Sequence, residues 1–146
     1  MKWAIVAVLT VVLFGAGAAY LSKPSPRSTF EYLVAKPIPQ SVNSIQEGSF
    51  RAMDSVFRVL RFNISAAELR SILDSQGYKP LSQEEMGSRN RQDYLRHWEQ
   101  RIKAVTKLEI HFAENAQGLT LKEGRGQKYM FWSTNTPEVV FVADAH

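Results

Sequence analysis

The chain reads as an α+β domain, built on a mainly antiparallel sheet of about five strands with one or two helices packed on one face and preceded by an N-terminal hydrophobic helix. Three observations lead there. The stretch Asp54 to Gly77 passes from strand to helix through one capping residue. The C-terminal third is a succession of short alternating runs separated by turn residues. The helical patterns fall together in the middle rather than between strands, which favours segregated helices over a parallel crossover sheet.

At the amino end, Lys2 is followed by an uncharged run from Trp3 to Leu21. Read as a signal peptide, it has a short n-region, an apolar h-region to Phe14 and a small-residue site at Ala16-Gly17-Ala18. Read as a signal-anchor, it is just long enough to span a bilayer as a helix, with Trp3 and Tyr20 at the interfaces and Lys23 and Arg27 beyond. The uncleaved anchor is the preferred reading. Both place the remainder outside the cytoplasm, facing the periplasm or cell exterior, or secreted after cleavage. The division expected is 1–21 for this segment, 22–29 for an extended Pro/Ser linker and 30–146 for a single extracytoplasmic domain.

Phe30 to Val34 forms a short apolar patch, and Lys36-Pro37-Ile38-Pro39 imposes an extended path. Ser41 to Gln46 is expected to be a strand, continuing or turning through Glu47 to Met53 into a hairpin. In the next strand Leu60, Phe62 and Ile64 share one face while Phe57, Val59, Arg61 and Asn63 share the other. Apolar residues on both faces mark a central strand, and Arg58 is expected near the sheet's end. Ser65 and Glu68 form a capping box ahead of the stripe Ala66, Leu69, Ile72 and Leu73, and Gly77 and Pro80 stop the helix. Asn63-Ile64-Ser65 also matches a glycosylation sequon, for which the helix cap is the simpler explanation.

Ser82 and Glu85 head a second short helical turn ending near Gly87. Arg89 to Val105 then has helical period, with Tyr94, Leu95, Trp98, Ile102 and Val105 on one face. Lys107 to Ala113 alternates cleanly and predicts a half-exposed strand. Further strands are expected at Leu119 to Lys122, Lys128 to Ser133 and Glu138 to Ala143, the last two joined by Thr134 to Pro137. This terminal hairpin is apolar on both faces, so either both are covered, the preferred reading, or one is a partner surface.

Composition narrows the chemistry. With 146 residues, 45% hydrophobic and 22% charged, the chain supports one globular domain with a modest core. The absence of cysteine excludes disulfides, thiol catalysis, cysteine-ligated zinc and a cysteine lipid anchor. The three histidines, His97, His111 and His146, have no metal-ligand spacing, so no metal and no cofactor are expected. No Gly-x-Ser-x-Gly occurs, and Gly124-Arg125-Gly126 is a turn rather than a dinucleotide loop.

The net charge of +4 is concentrated between Arg89 and Lys107, where six cations face two carboxylates. Arg89, Arg91, Arg96, Arg101 and Lys103 are therefore the candidate contact with an anionic surface, the simpler alternative being a solvated helix face. Nucleic acid is not expected as a partner, given the compartment. Glu109 and His111, two apart on one strand face, are the one candidate general-base pair, which a surface location would leave idle.

The segments Pro39-Gln40-Ser41-Val42-Asn43-Ser44-Ile45 and Arg61-Phe62-Asn63-Ile64-Ser65, with the aromatic last hairpin, resemble a loose group of uncharacterised small bacterial membrane-anchored or exported proteins. Ile38 and Val42 stand where that group more often has Leu and Ala, and the basic segment around Trp98 has no counterpart there. The resemblance implies a tethered domain and no catalytic residues. The function expected is thus non-enzymatic binding of a protein or an anionic envelope partner by a membrane-tethered domain. The alternative is a small envelope enzyme using Glu109 and His111.

Overall fold

A computed structural model describes residues 24–145 of the chain. The hydrophobic segment 1–21, the first two residues of the expected linker and His146 lie outside the described residues. Among the described residues, no helix is long and apolar enough to cross a membrane.

Among the described residues the architecture is α+β: four helices accompany a six-stranded sheet of order β1-β2-β6-β5-β4-β3, every neighbouring pair antiparallel. The strands are β1 (Asn43–Ala52), β2 (Ser55–Asn63), β3 (Lys79–Pro80), β4 (Gln117–Glu123), β5 (Gly126–Trp132) and β6 (Glu138–Ala145). The helices are α1 (Pro26–Leu33), α2 (Ala66–Gln76), α3 (Gln83–Met86) and α4 (Arg91–Thr106).

The helices cover both faces, not one as expected. On the first face, Leu60 and Phe62 of β2, Met130 of β5, and Val139 and Phe141 of β6 pack with Phe30 of α1 and Leu69 and Ile72 of α2. On the second, Phe57, Val59, Phe131, Val140 and Val142 meet Tyr94, Leu95, Trp98 and Ile102 of α4. The reason is visible in the strands themselves. β2, β5 and β6 are apolar at successive positions, and period two sends alternate residues to opposite faces. Each buried Phe or Leu contributes about 1.5–3 kcal/mol relative to exposure, so neither face is stable uncovered. The apolar terminal hairpin is therefore covered on both sides.

The second half of the expected linker is helical. Ser25 accepts a hydrogen bond from the Ser28 amide, and Pro26 occupies the first turn, where its missing N–H costs nothing. This start lets Phe30 meet Phe62 edge-on at 4.8 Å. It also lets Thr29 donate to Glu47 at 3.0 Å. Glu47 in turn pairs with Arg58 at 3.5 Å. Arg58 is thus neutralised in mid-strand, opposite Ser49 and Ala143, rather than placed at the sheet's end.

Lys107 to Ala113 belongs to no strand: Lys107 caps α4 in the left-handed conformation, and the residues after it carry no regular structure. Ile110 is buried, and Leu108 and Phe112 pack on the second core, while Lys107, Glu109 and His111 are exposed. The alternation is real, but it arises from a chain lying across an apolar surface. It has no ladder partner, since the flanks of the sheet are β1 and β3.

The Ser65 cap forms, its hydroxyl accepting from the Glu68 amide at 3.3 Å, and Gly77 ends α2 in the left-handed conformation. Glu68 does not return to the Ser65 amide as the box predicts. The Ser82–Glu85 box is complete, and α4 runs two residues inside its expected start, capped by Asn90.

Candidate functional site

The five basic candidates do not act as one surface. Arg101 is committed to the fold: its guanidinium lies 4.7 Å from the Phe57 ring centre and 5.1 Å from that of Trp98, and donates to Asp144 of β6 at 2.7 Å. Lys103 is exposed and paired with Glu109 at 3.0 Å. Arg96 lies 3.8 Å from Asp93, both well exposed. Arg89 and Arg91 are exposed and make no ion pair among the described residues. Among these five candidates, open positive charge is thus confined to the first half of α4 and the residues before it.

Glu109 and His111 do not assemble into an acid–base pair. Glu109 is held by Lys103, whose hydrogen bond and charge push its carboxyl below the ordinary value, with a smaller contribution from His111. A base for neutral pH needs the opposite shift. His111 borders a small cleft of about 250 Å³ beside Glu138 and Asn63, which Glu109 does not line. Glu138 is itself engaged by Arg61 at 2.6 Å. Among the described residues, no three His, Asp or Glu side chains are grouped as metal ligands.

A larger concavity than the His111 cleft lies elsewhere, on the first face. α2 has 11 residues and so spans about 16 Å. A six-stranded sheet is about 24 Å across at its usual strand spacing. α2 is thus shorter than the sheet is wide and leaves part of this face open beside Leu119 of β4 and Trp132 of β5, both half-buried. The result is a groove of about 890 Å³ between one side of α2 and the sheet, closed at one end by the β5–β6 loop. This volume lies within the usual range for ligand sites, about 300–1,000 Å³.

Its floor is apolar: Leu69 and Leu73 from the helix, Leu119, Trp132 and Val139 from three strands. Trp132 packs partly against the core and is half-buried, leaving part of its indole open. The rim is polar. Arg70 and Asp74 stand one turn apart on α2, Gln117 begins β4, and Thr136 lies in the loop. None of these four side chains makes a hydrogen bond or ion pair among the described residues, although a turn's spacing on a helix commonly allows Arg and Asp to pair. The loop is held by Ser133, buried, which donates to Asn115 at 2.7 Å and accepts from the Asn135 amide at 3.3 Å.

Tyr78 contributes a wall of the groove, and its phenol oxygen is buried without a hydrogen-bond partner. Burial, with the charge of Glu123 adding to it, pushes the Tyr78 phenol above its ordinary value, so it remains a neutral hydroxyl.

Sequence reasoning did not find this groove. Its parts come from α2, the start of β4, the end of β5 and a loop read only as a turn, and the sheet order alone brings them together. The usable signal was the mismatch between one short helix and a hairpin apolar on both faces.

Comparison of the chain with family models, curated proteins and solved structures returns no match.

Proposed function

We propose that this chain is a non-enzymatic binding domain, held outside the cytoplasm by its N-terminal apolar segment, and that its partner is taken in the groove beside α2. The groove carries the reading: an open apolar floor with a Trp, framed by hydrogen-bonding side chains that the fold itself does not use. Convergent uncommitted polar groups around an apolar concavity are what ligand recognition requires. The uncharged run from Trp3 to Leu21 supports the tether. The depressed Glu109 and its absence from the cleft that His111 lines weigh against the enzymatic alternative.

Photo-crosslinking in intact cells tests the reading. A photoreactive residue replacing Asp74, on the groove rim, is expected to give a discrete adduct that disappears when Trp132→Ala is added. The same group replacing Gln100, exposed on α4, is expected to give none. An adduct from Gln100 alone, or one from Asp74 undiminished by Trp132→Ala, would overturn the assignment of the groove.

A second reading rests on Arg89, Arg91 and Arg96, which are open to solvent on the opposite face of the domain. It gives this end of α4 a weak attraction to anionic headgroups or envelope polymers.

A further inference from the structure

We infer that the groove takes a short, neutral oligosaccharide, with a sugar ring lying on Trp132 and its hydroxyls bonded to Gln117, Asp74, Arg70 and Thr136. The inference rests on the reading of the groove as a binding site and specifies the chemistry of its ligand.

Three features of the lining select this class. The first is the combination of an aromatic surface with hydrogen-bonding groups around it. A pyranose presents C–H bonds on one face and hydroxyls at its edge, so it needs an apolar plate and a polar frame together. The indole of Trp132 supplies the plate, rigid and half-buried among core side chains. The second is the type of polar group. Gln117 and Thr136 both donate and accept, Arg70 donates, Asp74 accepts, and all four are uncommitted. A ring of hydroxyls, each donor and acceptor at once, can satisfy this mixture. A hydrocarbon chain would leave every one of them unmatched as water is expelled.

The third is charge. Among the described residues, Arg70 and Asp74 are the only charged side chains lining the groove, and they cancel. A polyanion or polycation would find no net attraction there, whereas a neutral polymer meets no repulsion. An extended peptide is disfavoured by the backbone. Strand addition needs an open sheet edge, and at this end the edge of β4 is occupied at Leu119 and Thr120 by Lys79 and Pro80 of β3. A peptide in the groove would lie on a sheet face, with no ladder to join.

The test is a titration of the full chain in phosphatidylcholine nanodiscs, free of sugar-headed detergent and labelled with fluorotryptophan. The three tryptophans, Trp3, Trp98 and Trp132, give three fluorine signals, assigned by single Trp→Phe variants. The probes are chitotetraose, cellotetraose, maltotetraose and a neutral octapeptide containing Leu and Tyr. A saturable shift of the Trp132 signal by at least one saccharide, with Trp98 unmoved, is the expected result. Calorimetry with that saccharide should then show affinity falling roughly tenfold or more in Trp132→Ala. Gln117→Ala should lose a few-fold to about tenfold, the cost of one hydrogen bond, with the melting temperature unchanged because the Gln117 side chain makes no bond among the described residues. If the octapeptide shifts Trp132 and no saccharide does, the saccharide inference is overturned and the groove stands as a binding site. If no probe shifts Trp132, the saccharide inference is overturned, and crosslinking at Asp74 decides separately whether the groove binds anything.

Discussion

Glu68, in the first turn of α2, holds Ser41 at the mouth of β1 rather than the amide ahead of its own helix. Its carboxylate accepts from the Ser41 hydroxyl and from the amides of Gln40 and Ser41, both at 3.1 Å. The same Ser41 hydroxyl accepts from the Ser65 amide at 2.8 Å. The expected local box has thus become a relay joining the helix start to a residue 24 positions earlier. Ser65→Ala should cost about 1 kcal/mol through loss of the cap. Ser41→Ala should also destabilise, because it strips the Ser65 amide of its acceptor, whereas a purely local box would make it silent. Urea unfolding of both variants decides this.

The same relay sets an acid dependence. The Ser41 hydroxyl is the largest influence on the Glu68 carboxyl; desolvation opposes it, and the Ser41 and Gln40 amides with the Ser65 hydroxyl add to it, so the carboxyl is held below its ordinary value. A carboxylate whose folded pKa is depressed contributes stability that is present above its unfolded value and is lost as pH falls through the folded value. Stability should therefore decline below the ordinary glutamate range, and Glu68→Gln should flatten that limb while leaving the alkaline side unchanged. An acid limb identical in Glu68→Gln and wild type would contradict the assignment.

Three side chains along the groove should respond differently from one another. Leu69 is buried, and Leu69→Ala should cost roughly 2–5 kcal/mol by opening a cavity. Leu73 is half-buried at the groove wall and should cost less. Tyr78→Phe should be neutral or stabilising, since it deletes a buried hydroxyl that has no partner. Thermal melts of the three variants test the order.

Gly48 sits where β1 passes beneath the end of α4. A Cβ added there would lie 2.5 Å from Thr106 Cβ and 2.9 Å from Leu108 Cδ1. The first neighbour is the branch point of a side chain whose hydroxyl is bonded to Ile102, so it cannot swing aside. Gly48→Ala should cost about 1–3 kcal/mol by forcing the helix end off the sheet, and chemical denaturation measures it.

The basic residues separate into structural and free. Arg101→Gln should lower the melting temperature, because it removes both the ring contacts and the ion pair with Asp144. Replacing Arg89, Arg91 and Arg96 together by Gln should change stability by no more than about 0.5 kcal/mol. It should nonetheless abolish whatever binding the full chain shows to anionic over neutral liposomes at low salt. Attraction of this kind fades beyond a Debye length, about 8 Å at physiological salt, so wild-type binding should also be released by salt. Salt-insensitive binding, or binding retained in the triple variant, would remove this end of α4 from consideration.

Local chemistry was the readable part of the fold. Caps at Ser65 and Ser82, the stop at Gly77, and the helix around Trp98 each depend on residues within a few positions of one another, and all are present. What failed needed knowledge of neighbours. Leu108, Ile110 and Phe112 have a strand's alternation without a strand's partners. The residues of β2 announced two apolar faces, yet the helices were assigned to one. Arg101 read as surface charge because nothing near it in sequence foretold Asp144, 43 residues later. The groove was invisible for the same reason: Asp74, Gln117 and Trp132 meet only through the order of the strands.

That order has a consequence for how the chain is assembled during synthesis. β6 follows the other five strands of the sheet in sequence and lies between β2 and β5, paired with both along its length. Until it leaves the ribosome, the β1–β2 hairpin and the β4–β5 hairpin are separate pieces, each with an open inner edge and apolar residues on both sides. Such pieces pair readily with other chains. The eight residues Glu138–Ala145 therefore act as a keystone set last. A ribosome that stalls before them releases two unfinished halves with a tendency to aggregate, not a domain lacking a tail.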